Sequence, residues 1–141
     1  MALDVGTKTI GVAVSDPLGM LAHPVVTLSR KGVRQDTVKI TELVKARDVV
    51  RVIVGLPLEL DGTEERSARL ARQIGVAVRG STGLPVGYLD ERYSSVDAER
   101  QLIEADVSRA RRKTIIDQQA AVLILQSFLD AGESALLEEE V

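Results

Sequence analysis

The run Val49-Val-Arg-Val-Ile-Val54 puts five β-branched side chains into six positions, with no alternation of polar and apolar residues. A strand of this kind is buried on both faces, and a sheet covered on both faces needs helices to cover it. The flanks supply them. Before the run, between Gln35 and Arg47, Ile40, Leu43 and Val44 recur at helical spacing. After it, Leu70, Ala71, Ile74, Ala77 and Val78 do so again, followed by a Gly80-Ser-Thr-Gly83 turn and a second apolar run, Pro85-Val-Gly-Tyr-Leu89. Helix, central strand, helix and strand therefore alternate through the middle of the chain.

The opening reads differently. Met1-Ala-Leu-Asp-Val5 and Ile10-Gly-Val-Ala-Val14 are β-rich runs joined by the short polar Gly6-Thr-Lys-Thr9, the pattern of an antiparallel hairpin. A turn cluster, Asp16-Pro-Leu-Gly19, precedes a third short run, Pro24-Val-Val-Thr-Leu28, that extends the hairpin into a meander. Beyond the middle, Ser94 and Asp97 form a capping pair for a helix carrying Val96, Leu102 and Ile103, and a last helix is predicted from about Ile116 to Leu129. The order β-β-β-α-β-α-β-α-α predicts an α/β domain: one mixed sheet, three antiparallel strands then parallel strands, with helices on both faces.

A chain of 141 residues, 45% hydrophobic and 28% charged, fits a single globular domain, expected over residues 1–132, with 133–141 as an acidic, flexible tail. The absence of cysteine excludes disulfides, thiolate zinc sites and cysteine nucleophiles, and suits a reducing cytoplasm. The longest strictly aliphatic stretch, Ala120-Ala-Val-Leu-Ile-Leu125, is far short of the ~20 residues that cross a bilayer, and no secretion leader opens the chain. No membrane partner is expected. Four of the 21 acids (Glu133, Glu138, Glu139, Glu140) lie in the last nine residues, which leaves 18 basic against 17 acidic residues over 1–132. A near-neutral body excludes binding of nucleic acid by bulk charge, so phosphate contacts must be local, at Arg30, Lys31 and Arg34 or at Arg109, Arg111, Arg112 and Lys113. With only Tyr88, Tyr93 and Phe128 as aromatics, a base-stacking platform is poorly supported.

Acids stand at three places where a core should be. Asp4 lies between Leu3 and Val5 in the first strand: it turns to solvent, accepts amides of the following turn, or faces the core at a cost of several kcal/mol unless compensated. Asp90 and Glu91 follow the Pro85–Leu89 run, at the C-terminal end of a strand, the edge where α/β sheets hold ligands; a polar strand end opening a loop is the plainer explanation. Asp117 heads the helical stripe Ala120, Ala121, Ile124 and Phe128, which puts its carboxylate on the buried side rather than on a surface first turn. If the last helix packs across the strand ends, the three acids converge, and like charges so placed need a cation. Oxygen ligands without cysteine, and with His23 as the single histidine, select Mg²⁺ or Mn²⁺ over zinc, and two such ions support phosphodiester hydrolysis without a protein nucleophile. His23, next to Pro24, reads as a turn or core residue.

Taken together, Ala2-Leu-Asp-Val-Gly-Thr-Lys-Thr-Ile-Gly-Val-Ala-Val-Ser-Asp16, Val52-Ile-Val-Gly-Leu-Pro-Leu-Glu-Leu-Asp-Gly-Thr63, Leu89-Asp-Glu-Arg-Tyr-Ser-Ser95 and Asp117-Gln-Gln-Ala-Ala-Val-Leu-Ile-Leu125 resemble the YqgF/RuvX family, an RNase H-like group related to the RuvC resolvases. The resemblance spans essentially the whole chain. It implies an RNase H-like domain and a metal-dependent nuclease, acting either in 5′-end processing of pre-16S rRNA or as a Holliday junction resolvase. Carried over residue by residue, the catalytic acids are Asp4, Glu91 and Asp117. Asp90 joins them as a metal ligand, and Glu91 is preferred over its neighbour. Family members commonly read Asp-Glu-Arg-Leu-Ser-Thr where this chain has Tyr93-Ser94-Ser95, a departure that touches only local substrate contacts. Lys8 and Arg92 are placed to hold phosphate oxygens, Arg109, Arg111, Arg112 and Lys113 to dock the substrate backbone, and Gly6 and Gly11 to let backbone approach phosphate; the Gly55-Leu-Pro57 and Asp61-Gly-Thr63 turns would rim the cleft. The implied partners are a structured RNA precursor or branched DNA, or a pre-ribosomal particle, with the protein a monomer or homodimer. Two other classes remain open: a nucleotide-binding domain, since Asp4-Val-Gly-Thr7 also looks like the phosphate loop of actin-like ATPases and sugar kinases, and a non-catalytic nucleic-acid or ribosome-binding module.

Overall fold

A computed structural model of the chain describes residues 1–58, 64–91 and 119–137. Its strands are β1 (Ala2–Val5), β2 (Thr9–Ser15), β3 (Ala22–Ser29), β4 (Val52–Leu56) and β5 (Val86–Asp90), and its helices α1 (Val33–Ala46), α2 (Arg66–Thr82) and α3 (Ala120–Ala131), with a short 3-10 turn at Gly132–Ala135. The five strands form one sheet in the order β3-β2-β1-β4-β5. β1, β2 and β3 pair antiparallel, and β1, β4 and β5 pair parallel. This is the mixed α/β architecture expected from the order of elements. The capping pair Ser94/Asp97 and the helix assigned to it lie outside the described residues.

Strand alternation splits the apolar residues between two layers. Leu3, Val5, Ile10, Val12, Val52, Val54, Leu56 and Tyr88 face one side with Ile40 and Val44 of α1 and Ala71, Ile74 and Val78 of α2. Ala2, Ala13, Ile53 and Leu89 face the other, against Ala121, Ile124 and Leu125 of α3. The large branched residues are thus concentrated under α1 and α2, and small ones recur under α3.

Three boundaries differ from expectation. The central strand begins at Val52 rather than Val49, and Val50 is 78% exposed. Asp48, at φ 52, ends the turn after α1, and Val49 to Arg51 reach the sheet before β1 or β5 has begun, so they have no strand to pair with; the registers start at Ala2↔Ile53 and Val52↔Val86. Gly80-Ser-Thr82, expected as a turn, completes α2, which stops at Gly83 in the left-handed conformation glycine accepts (φ 72). Finally, the acidic segment expected to hang free is held in its first five residues: Leu136 bridges to Leu89, and the Leu137 amide donates to the Tyr88 carbonyl at 2.8 Å. Leu136 and Leu137 pack against opposite layers of the core, so packing continues at least to Leu137.

Candidate active site

Asp4 is the last but one residue of β1, and alternation sends its side chain to the α3 side together with Ala2. It does not turn to solvent. Its partner on β2 is Gly11; on the other side, the register Leu3↔Val54 carried one residue on sets it beside Gly55 of β4. The carboxyl is therefore flanked on both neighbouring strands by positions without side chains. Over Gly11 sits the Ala121 methyl of α3, and over Gly55 sits the Glu91 carboxyl.

Glu91 follows β5 directly. It continues the Gly87, Leu89 face, and its side chain reaches back across the end of β4 to hydrogen-bond with Asp4. Asp90, one residue earlier, falls by alternation on the Tyr88 face, opposite Leu56, which is the structural reason to separate the two acids. Its charge nevertheless acts on Glu91. Burial, the Asp4 charge and the hydrogen bond, with a smaller contribution from Asp90, push the Glu91 carboxyl up to about 8. Burial also raises Asp4, and its bond with Glu91 works against that rise. The consistent picture is a protonated Glu91 donating to an ionised Asp4, because two carboxylates within hydrogen-bond reach do not both stay charged without a cation.

A cleft of about 250 Å³ opens at this point, lined by Asp4, Thr9 and Gly11, by Pro24 to Thr27 of β3, and by Gln119 to Val122 at the start of α3. The larger groove, about 800 Å³ around Met1, Arg51, Pro85 and Phe128, lies at the opposite end of the strands and contains neither member of the pair. The expectation that the apolar stripe of the last helix faces the sheet is met by α3, whose Ala121 and Ile124 are buried against the face that carries Asp4. Lys8 is exposed at the β1–β2 turn. That turn is held from behind: Arg30 donates to the Gly6 carbonyl at 3.1 Å and pairs with Asp36 at 3.0 Å, and Asp36 also accepts the Lys31 amide at 2.9 Å. His23 is exposed on β3, in neither a turn nor the core. Asp117, Arg92, Arg109, Arg111, Arg112 and Lys113 lie outside the described residues, as does Asp61-Gly-Thr63.

Gly55 was expected only as part of a turn rimming the cleft. It is a strand residue in the middle of a buried apolar run, and a glycine in such a place signals close approach by another group. A carboxyl pair with oxygen donors only fits a hard divalent cation, which would replace the shared proton. Among the described residues, no cluster of three or more potential ligands is present.

A mixed sheet in this order, with an acid on its central strand and a second acid leaning over it from the end of β5, defines an RNase H-like domain. The solved structures that share the fold include two of RuvC. These two are a Thermus thermophilus RuvC in complex with a Holliday junction substrate (TM-score 0.57, 17% identity, 96% of each chain) and Thermus thermophilus RuvC (TM-score 0.56, 13% identity, 95% of each chain). The chain belongs to the RuvX family, described as Holliday junction resolvase, which matches residues 1–131. Relatives named "Putative pre-16S rRNA nuclease" include that of Symbiobacterium thermophilum, 48% identical over 92% of this chain and 90% of its own, and that of Myxococcus xanthus, 47% identical over 93% and 87%. That of Heliobacterium modesticaldum is 44% identical over 99% of this chain and 94% of its own.

Proposed function

We propose that this protein is a nuclease that hydrolyses phosphodiester bonds in the 5′ leader of pre-16S rRNA, with Asp4 and Glu91 as its central catalytic acids. The observation that carries the reading is the Asp4–Glu91 pair: two carboxyls sharing a proton at the sheet edge, beside a cleft. A structural role alone gives no reason to hold such a pair together, since an apolar pair would avoid its desolvation. Asp4 and Glu91, with Asp117, would hold Mg²⁺ or Mn²⁺, whereas Asp90, expected as a further ligand, falls on the Tyr88 face and acts on Glu91 through its charge. When bound, the ion would supply a Lewis acid and lower the pKa of attacking water.

The protein's own contribution is position and charge. With the Glu91 proton lost, both carboxylates would be available as oxygen donors to the ion, and Asp4, fixed in a central strand, would orient them. The bare backbone at Gly11 leaves the cleft open to a phosphate. Lys8 on its anchored turn, with Arg92 and the Arg109, Arg111, Arg112 and Lys113 stretch, would hold phosphate oxygens along the substrate backbone. The setting is cytoplasmic, in keeping with a chain that lacks cysteine, and the pre-ribosomal particle is the natural partner of such an enzyme. A second reading, cutting of branched DNA, is supported by the family description and the RuvC-like fold.

The two readings separate in one experiment. End-labelled four-way DNA junction and pre-rRNA 5′-leader substrates are incubated with the protein and Mn²⁺ or Mg²⁺, with Asp4→Asn as the control. We expect the RNA leader to be cut and Asp4→Asn to lower the rate at least a hundredfold. Symmetric cutting of the junction alone moves the assignment to resolution, and cutting of neither identifies a binding module.

A further inference from the structure

We propose that Gly55 is a positioning residue: the side chain missing near the C-terminal end of β4 is the space in which the Glu91 carboxyl lies against Asp4. The inference deepens the nuclease reading and rests on it for its effect on cleavage, while the packing argument stands apart from it.

β4 is otherwise built from large buried residues, Val52, Ile53, Val54 and Leu56. Glycine weakens a strand interior and needs a reason there. The backbone does not supply one, because Gly55 is not among the positive-φ glycines. Space does. A Cβ at this position would come within 2.6 Å of Glu91 Oε1 and 2.9 Å of its Cδ, and would also collide with Ile124 Cδ1. The other glycines on this face differ. A Cβ at Gly11 meets Ala121 and Asp4 at 3.6 and 3.7 Å, ordinary contact, and one at Gly87 meets the methyl groups of Leu136. Among the described glycines, Gly55 is the one whose empty position is filled by a carboxyl. Ile124 is 1% exposed and packed among buried residues of both the sheet and α3, whereas Glu91 is half-buried, so of the two colliding groups the Glu91 carboxyl has the more room to yield to an added methyl. The direction left to it is away from Gly55, and so out of register with Asp4.

The test separates the two collisions. In the Ile124→Val background, which removes the colliding Cδ1 methyl, four proteins are compared: the parent, Gly55→Ala, Glu91→Ala, and both changes together. Urea midpoints in EDTA report the packing, calorimetric titration with Mn²⁺ reports the carboxyl pair, and cleavage of the RNA leader reports catalysis. We expect Gly55→Ala to weaken Mn²⁺ binding at least tenfold and to slow cleavage in parallel. We also expect the methyl to lower the urea midpoint when Glu91 is present and to leave it nearly unchanged when Glu91→Ala has removed the carboxyl. Mn²⁺ affinity within twofold of the parent, or an equal loss of midpoint in both backgrounds, overturns the proposal. Should Gly55→Ala with Ile124→Val not fold, the protein carrying Glu91→Ala as well decides: folding supports the contact and failure overturns it. A wild-type protein that neither binds Mn²⁺ nor cleaves would remove the nuclease reading, and the EDTA comparison would then decide Gly55 by itself.

Discussion

The shared proton between Asp4 and Glu91 makes stability depend on pH in a direction opposite to that of an ordinary salt-bridged carboxylate. Glu91 titrates near 4.5 when unperturbed and at about 8 in the folded chain, so between those values the folded protein holds a proton that the unfolded chain has released. That contribution is complete below pH 4.5 and is lost as pH rises through 8. Asp4 is raised too and acts in the same sense. In EDTA, the wild-type protein should therefore lose stability, relative to Glu91→Gln, as the pH is taken from 5 to 8. The amide keeps a permanent N–H donor toward Asp4 and does not titrate. Thermal midpoints of both proteins at pH 5, 6.5 and 8 check this; curves that run parallel would show that the two carboxyls do not share a proton. In wild type, Mn²⁺ affinity should rise over the same interval, because binding must displace the proton.

Among elements, the β1–β2 turn is tied through a buried ion pair to something outside its own hairpin. Arg30 and Asp36 are 11% and 3% exposed, and the guanidinium bonds both the Asp36 carboxylate and the Gly6 carbonyl. Arg30→Ala would leave the buried Asp36 without its cation and release the turn that carries Lys8. We expect it to cost about 3–5 kcal/mol, read from urea unfolding, with faster amide exchange at Gly6 to Thr9 than in wild type. A loss below ~1 kcal/mol would mean that the Lys31 amide alone satisfies Asp36. Neither residue stood out in the sequence as a pair, because six positions apart across a strand end is no recurring motif. The elements themselves could be read because their periods differ: two for β1, β2 and β3, 3.6 for α1, α2 and α3. Their ends could not, since the start of β4 is decided by where β1 and β5 begin, and the length of α2 by where a left-handed glycine falls. Asp4 and Glu91 were visible as acids in apolar surroundings. Which way Asp4 points was not, because alternation names two faces, and with helices expected on both, nothing local to Asp4 says which one receives it. Gly55 was hidden for a related reason: its role is defined by Glu91, which arrives two elements later.

For the molecule as a whole, the two layers of core are closed by different parts of the chain. The α1/α2 layer is built mostly from residues before Leu89 and finished by Leu137, and the α3 layer by Ala121, Ile124, Leu125 and Leu136. Leu136 sits over Gly87 and bridges Leu89, so the last described residues hold β5 in place from both sides. Replacing Leu136 and Leu137 together by alanine should cost roughly 2 kcal/mol, since each is half-buried and full burial of a leucine is worth about 1.5–3 kcal/mol. Denaturant unfolding measures it, and an unchanged midpoint would show the segment to be peripheral. The late position of α3 has a consequence in time. A ribosome delivers the chain from its N-terminus at about 5–20 residues per second, so Asp4 and Glu91 emerge well before Ala121 and Ile124 do. Among the described residues, every helical wall of the cleft comes from beyond residue 119. Until those residues are free the acids face water, and a newborn copy has no cleft in which to hold a strand.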